Sequence, residues 1–369
     1  MSNFEINGYM SVKVFKQVDI RSWDEELKKL RGSMFLSREW LISLQNDDTT
    51  PIFLKFFRNE KLIGMISGFE RPVSGGNKKQ LFFYSNFALK EHNQELAQKC
   101  KEALIKYARD NLFFRITMRS YDSNLLITKK GNGFIRTNHR FEYILDLKKR
   151  KEEIIREFDS DMLRIIKKAR KNGLSFHYCY SENLLSQLIK LASETLSIRK
   201  KKGYGGYEIF VIPFLNPDAL RKLLISKAGI IFFTKQNNEI LSMQFYYIYN
   251  KKAYGLIMGT KRHGYEIGAP SFLFYESALK LHELGFESIN FGGIPKGTKH
   301  EGVKRFKMKM GATPVESYEE TTDLLLFPLK ILNVLLIIKR IILGFYIPWI
   351  IKKQLKKIFN LFLKDIDHY

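Results

Sequence analysis

The stretch GVKRFKMKMGATPV, residues 302–315, sets Phe306 among basic side chains and follows the glycine-rich run NFGGIPKGTKHEG. Val303, Phe306 and Met310 recur at helical spacing, which predicts a short helix ending at Gly311 with Lys304 and Lys307 one turn apart. Such spacing suits ordinary core packing for the phenylalanine and solvent for the lysine. It also suits chemistry, because a lysine fixed at the mouth of a sheet can stabilise the oxyanion of an acyl transfer or hold a donor phosphate. Acyl transfer to an amine needs a positioned carbonyl, an oxyanion donor and a proton route. His263, Glu266, Tyr275 and Glu276 are nearby proton acceptors in sequence, each with a structural use in a turn or on a helix face. No Ser/His/Asp order, metal-ligand spacing or phosphate-loop motif offers a competing chemistry.

The elements that must position Lys307 come from a repeat. PIFLKFFRNEKLIGMISGFERP reads as strand, turn, strand, with KQLFFYS able to add a third, and GIIFFTKQNNEILSMQFYYIYN followed by KKAYGLIMGT has the same form. A helix pattern follows each meander, QELAQKCKEALIKYARD and then SFLFYESALKLHELG, and a short strand follows each helix, FFRITMR and then SINFGG. The copies lie about 178 residues apart. The fold class is therefore α/β, with two mostly antiparallel mixed sheets flanked by helices. Between the copies, Ile154, Ile155, Phe158, Met162, Ile165 and Ile166 predict a structured helical linker that Gly173 ends. Its Arg164, Lys167, Lys168 and Lys171 read as a solvated face, or as cations turned toward a cleft to neutralise a phosphate.

With 369 residues the chain is long enough for two domains. Its two cysteines, Cys100 and Cys179, have neither disulfide-framework nor zinc spacing, which fits a reducing compartment. The N-terminal residues lack the basic-then-apolar order of an export signal. A net charge of +24 points to polyanionic partners, although a composition rich in Lys, Ile, Asn and Phe gives the same number without organised charge. Locally, Arg199 to Lys202 extend a helix from near Ser181, and Gly203, Gly205 and Gly206 then allow a mobile loop that could grip a phosphate over the cleft.

Residues 323–369 differ in character. ILNVLLIIKRIILGFYIPWI is apolar, but Lys339 and Arg340 near its centre, at roughly +3 kcal/mol each, offset residues worth roughly −0.5 each, so spanning is disfavoured. Ile351, Leu355, Ile358, Phe359 and Phe362 form a stripe opposed by Lys352, Lys353, Lys356 and Lys357, the pattern of a helix lying on an anionic membrane. Docking of that stripe on the protein's own core is the other reading.

INFGGIP followed by GVKRFKMKMGATPV resembles the strand, loop and helix near the end of FemABX aminoacyltransferases and CelD-type acyltransferases. RIIKKARKNGLSF is similar to their basic linker, FLSREWLISL to their first-domain helix, and GNGFIRTNHRFEYILDL to the strand closing that domain. The resemblance spans roughly residues 10 to 320 and implies two tandem GNAT-like domains. Residues 1–150 would form the acceptor side, 151–322 the linker and donor side, and 323–369 the amphipathic tail. It implies N-acyl or aminoacyl transfer to an amino group on a cell-wall or surface-glycan precursor, nucleotide-sugar or lipid-linked. The donor would be aminoacyl-tRNA or acyl-CoA, with no bound cofactor and no metal, at the inner face of the membrane. The resemblance implies that Lys307 contacts the reacting ester and Phe306 shapes its pocket. Donor binding would fall to Arg262, Gly264, Gly268, Lys304 and Arg305, and acceptor phosphate binding to Arg164, Lys168 and Arg199. Departures are visible: KRHGYEIGAPS spaces its glycines differently from the R-x-x-G-x-G/A of acetyl-CoA-dependent GNAT enzymes, no long coiled-coil insertion is present, and the first copy lacks a glycine loop. Two other classes remain open, an RNA-binding module and a non-catalytic membrane-associated scaffold.

Overall fold

The computed structural model describes residues 2–6, 10–15, 20–73, 76–91, 93–123, 133–203, 208–294, 301–326, 330 and 333. The amphipathic stripe of the tail, the Gly205–Gly206 loop and residues 295–300 lie outside the described residues.

The first copy runs β1 (Ser2–Ile6), β2 (Met10–Phe15), α1 (Ile20–Lys29), α2 (Arg38–Leu44), β3 (Thr50–Arg58), β4 (Lys61–Val73), β5 (Gly76–Phe83), β6 (Ala88–Leu89), α3 (Gln94–Asp110), β7 (Phe113–Met118) and β8 (Phe134–Asp146). The linker is α4 (Lys151–Glu157) and α5 (Ser160–Lys171). The second copy runs β9 (Ser175–Cys179), α6 (Leu185–Lys201), α7 (Pro217–Ile225), β10 (Gly229–Gln236), β11 (Glu239–Tyr249), β12 (Lys252–Thr260), α8 (Arg262–Glu266), α9 (Ala269–Glu283), β13 (Ser288–Ile294), α10 (Glu301–Lys309) and β14 (Thr313–Thr322).

The meanders form because their turns are chemically specified. Asn59–Glu60, Asn237–Asn238 and Asn250–Lys251 all take positive φ, the two-residue hairpin turn that matches strand twist and that asparagine tolerates well. Helices α3 and α9 occupy equivalent places after β5 and β12, and each returns to a parallel strand, β7 beside β5 and β13 beside β12. The expected duplication is thus present.

What the repeat pattern does not show is an exchange. The strands join in one sheet, ordered β1-β2-β3-β4-β5-β7-β14-β8-β13-β12-β11-β10-β9, with β6 on β4. The last strand of each copy pairs with the penultimate strand of the other: β8 lies on β13, β14 lies on β7, and β8 and β14 pair with each other. Two separate sheets were expected; the exchange merges them. Lys101 of α3 forms an ion pair with Glu320 of β14, both side chains 1% exposed, so the exchanged strand is tied to the other copy inside the core.

The linker is two helices rather than one. Phe158 leaves the helical conformation, and Asp159 caps α5 by accepting from the Asp161 N–H. The break lets Asp159 N–H donate to Lys309 O at 2.9 Å, and the Lys309 amine reaches Asp159 and Asp161 at 3.2 and 3.1 Å. The linker is thereby fastened to α10, the helix carrying Lys307. Ile154, Phe158, Met162 and Ile166 are buried with Phe272, Phe274 and Tyr275 of α9.

Candidate active site

Lys307 is placed by a helix end, a bulge and a strand exchange. Helix α10 closes on Gly311 (φ +80), with Ala312 N–H donating to Lys307 O and Gly311 N–H to Met308 O, the paired bonds of a left-handed helix cap. Its Lys307 amine donates to Gly292 O at 2.9 Å and Gly293 O at 3.3 Å, with the Tyr143 ring centroid 5.6 Å away. Two consecutive carbonyls can face one amine because β13 bulges: Asn290 pairs with Ile144 and Gly293 with Glu142, leaving Phe291 and Gly292 opposite Tyr143 alone. Gly292 takes φ +75. A Cβ on Gly293 would come within 3.0 Å of Arg140 Cζ and closer still to Nη2. Both glycines of the FGG run are therefore required by the geometry.

As a residue Lys307 is half-buried; its amine is the enclosed end. Burial drives its pKa down to about 7, Glu142 opposes the fall, and Arg140 and Arg199 add to it. Near neutrality the amine therefore exchanges between two forms. As ammonium it has three N–H donors, two directed at the glycine carbonyls and one left for a reacting oxygen.

Behind the bulge lies a polar lattice from both copies. Glu142 accepts from Arg140 at 3.1 Å, from Tyr254 Oη at 2.7 Å, from Asn290 at 2.8 Å and from Asp122 N–H at 2.8 Å. Arg140 also reaches Glu319 at 3.4 Å and stacks 4.2 Å over Tyr121, and Arg119 pairs with Glu319. Burial by itself would lower the Arg140 pKa, but the charges of Glu142, Tyr254, Tyr121 and Glu319 carry it upward, so the guanidinium is a permanent cation. Both carboxylates are thus engaged by cations, Glu142 by Arg140 and Glu319 by Arg119 and Arg140.

Two cavities adjoin this centre. One, of about 340 Å3, is lined by Arg119, Arg140, Leu256, Gly292, Gly293 and Glu319 among others. The second, of about 400 Å3, has apolar walls from Ile165, Ile198, Met258, Val303 and Phe306, with Arg199 and Lys202 at its edge and Gly268, Pro270 and Ser271 of the α9 start on one side. Their setting is a splayed pair of strands: β12 and β13 are in register only from Lys252↔Ser288 to Tyr254↔Asn290. Beyond that point Leu256 is a bulge residue with no β11 partner. In the first copy the equivalent pair stays closed, with β5 and β7 in register to Phe83↔Met118 and then Arg119 N–H and Tyr121 N–H bonded to Phe83 O and Tyr84 O. Among the described residues only the second copy has this opening.

The folds of solved proteins agree with this arrangement. The chain superposes on the crystal structure of FemX with TM-score 0.70 over 87% of this chain and 99% of that one, at 13% identity. A conserved protein of unknown function from Bacteroides thetaiotaomicron gives TM-score 0.50, covering 84% of this chain and 98% of that chain at 13% identity. The chain has the FemX-like fold of two fused GNAT-like units. A tandem GNAT protein from the clavulanic acid biosynthesis pathway superposes with TM-score 0.48 at 10% identity, over 86% of this chain and 98% of that chain. No family profile and no curated protein matches the sequence.

Within this FemX-like fold the expected site residues separate. Phe306 lines the second cavity and packs edge-on against Phe274, ring centroids 5.3 Å apart. Gly268 (φ +81) and Arg199 line the same cavity, so Arg199 sits beside Phe306 rather than in the Arg140 cleft. Arg262 is 89% exposed near Glu266 at 3.9 Å, outside both linings. Gly264 is buried against Leu241 O, which makes it a packing glycine. Lys304 and Arg305 share α10 with Lys307 but line neither cavity. Arg164 is 81% exposed and paired with Asp161 at 3.1 Å, and Lys168 is exposed on the same helix. His263 and Glu266 pair on the surface, and Tyr275 and Glu276 engage Arg170. Ile165, expected in the linker's apolar stripe, is 37% exposed because it forms a cavity wall. Arg140, Glu142, Tyr254 and Glu319 were not singled out from sequence, although Arg140 and Glu142 lie in GNGFIRTNHRFEYILDL, whose resemblance to a domain-closing strand marked a strand there. Among the described residues no group of His, Cys, Asp and Glu could hold a metal ion, and no helix is long and apolar enough to cross a membrane.

Proposed function

We propose that the protein transfers an acyl or aminoacyl group from an activated ester or thioester to an amine. The donor lies in the Phe306 cavity and the acceptor amine enters through the cleft at Gly292 and Gly293. The observation that carries this is the Lys307 amine, held by two backbone carbonyls where the splayed strands separate, with a cavity on either side.

The neutral acceptor amine attacks the donor carbonyl and a tetrahedral oxyanion forms. The third N–H of the Lys307 ammonium stabilises it, in a site where Phe306 and Val303 keep water from one side and the interaction is strengthened. As the carbon–oxygen or carbon–sulfur bond breaks, the leaving group takes a proton, and a lysine with a pKa of about 7 can give one and regain one from the attacking amine. Arg199 and Lys202, with the start of α9, hold the donor's phosphate. The resemblance of INFGGIP and GVKRFKMKMGATPV to FemABX and CelD-type enzymes supports an aminoacyl-tRNA or acyl-CoA donor. It also supports a cell-envelope precursor, nucleotide-sugar or lipid-linked, as acceptor at the inner membrane face. In this reading residues 1–150 serve mainly the acceptor and 151–322 the donor. The test is transfer of labelled acyl groups onto an envelope-precursor extract: Lys307→Met abolishes transfer if the assignment holds, and transfer at the wild-type rate contradicts it.

A further inference from the structure

Lys307 holds a second chemistry that the transfer mechanism leaves unused. Its amine donates to Gly292 O at 2.9 Å and to Gly293 O at 3.3 Å, so two of its N–H bonds are directed by the β13 bulge. The remaining tetrahedral position is a third N–H in the ammonium and a lone pair in the neutral amine. The same two anchors therefore aim either a proton or an electron pair at whatever occupies the site. Two buried lysines, Lys55 and Lys101, pair with Glu26 and Glu320, and such pairing holds a lysine charged. Lys307 differs: its hydrogen bonds go to carbonyls, and among the described residues no carboxylate pairs with it. The groups facing it are Glu142 and Arg140 on β8, Arg199 near the end of α6, and the Tyr143 ring at 5.6 Å, on which Glu301 of α10 acts. Val303 and Phe306 line the apolar cavity to one side, and Gly292 and Gly293 line the cleft to the other.

We propose that Lys307 is a modification site: its neutral amine attacks the activated acyl donor when no acceptor amine is present, and the acylated protein is inactive. The source of the acyl group rests on the transferase reading; the reactivity of the amine rests on the site alone. The lysine nitrogen bonds to the acyl carbon, the carbon–oxygen or carbon–sulfur bond breaks, and the leaving alcohol or thiol takes the proton that the nitrogen sheds. Burial supports this by bringing the amine's pKa down to about 7, which leaves much of it neutral at physiological pH. The product is an amide with one N–H and no charge, so it can no longer serve a developing oxyanion. A bound acceptor amine competes for the same carbonyl, and the modification is therefore confined to donor without acceptor.

The test treats the full chain with substoichiometric p-nitrophenyl acetate, a small activated ester, and follows acetylation of each lysine by peptide mass spectrometry across pH. At about pH 7.5 Lys307 should acetylate about tenfold or more faster than the exposed Lys168. A lysine with the ordinary pKa gains roughly tenfold in rate per pH unit up to about pH 9, whereas Lys307 should level off above about pH 8. Arg199→Ala removes a cation that favours the neutral amine, so the midpoint should move to higher pH. Acetylation of Lys307 no faster than that of Lys168, or a rate still climbing at about pH 9, overturns the proposal. Protein freed of reagent should lose transfer in proportion to Lys307 occupancy, and full transfer by acetylated protein overturns the inactivation. Labelling needs neither the natural donor nor the acceptor. Transfer by a protein whose Lys307 resists the reagent sinks the modification alone, and a labelled Lys307 in a protein that performs no transfer sinks the transferase reading alone.

Discussion

Replacing Gly293 by alanine tests the packing that holds Lys307. The new methyl would fall 3.0 Å from Arg140 Cζ, 3.1 Å from Nε and closer still to Nη2, the last an approach that real side chains essentially never show. Arg140 cannot swing away freely, because it is bound to Glu142 at 3.1 Å and Glu319 at 3.4 Å and stacked on Tyr121. Overpacking costs about 1–3 kcal/mol, and misaligning a buried charge pair adds to it, so roughly 2–4 kcal/mol of stability should be lost. Gly293 O is also an acceptor for Lys307, so transfer should fall by about tenfold or more, near 1.4 kcal/mol in the barrier. Urea denaturation with a parallel transfer assay measures both. Gly302→Ala is the control, since a Cβ there meets nothing within 4 Å, and it should change stability by less than about 0.5 kcal/mol. If Gly293→Ala unfolds at the same urea concentration as wild type, the Arg140 lattice does not constrain the bulge as argued.

Lys101→Met strands the Glu320 carboxylate in the core and should cost about 3–5 kcal/mol in urea denaturation, while Lys101→Met/Glu320→Gln recovers most of it; a silent single variant would contradict the buried tie. Because the folded Lys307 pKa is lowered from 10.5 to about 7, the unfolded chain binds more protons between those values. Wild-type stability relative to Lys307→Met should therefore rise as pH increases from 7 to 10.5 and stay flat below about 6, and a pH-independent difference would remove the enclosed amine from the account. Arg199→Ala should raise KM for the donor with little change in kcat, read from initial rates at fixed acceptor, whereas a rise in acceptor KM alone would exchange the roles of the two cavities.

The local elements were legible because their signals are local. Apolar runs separated by polar turns marked the meanders, and the fixed offset between copies marked the duplication. The strand exchange was not, since pairing β8 with β13 and β14 with β7 changes which distant strands meet without altering any short-range pattern. The linker break at Phe158 was hidden by hydrophobic spacing that continues through it, and only the capping Asp159 signalled it. Lys307 and Phe306 were found because spacing and resemblance coincided on one helix. The Arg140, Glu142 and Glu319 lattice was missed because it joins two residues of β8 to one of β14, 179 positions from Arg140 in sequence, a meeting that no short-range pattern shows. Arg262 and Arg164 attracted notice as cations, but the fold turns both to solvent, where charge is always easiest to accommodate.

The most direct test is transfer of label from charged total tRNA, and in parallel from an acyl-CoA panel, onto an envelope-precursor extract by wild type and Lys307→Met. Transfer by wild type that the variant loses, with the variant folded by urea denaturation, is the predicted result, and RNase sensitivity identifies the donor. No transfer from either donor, or equal transfer by the two proteins, would contradict the assignment of Lys307 to the reacting centre.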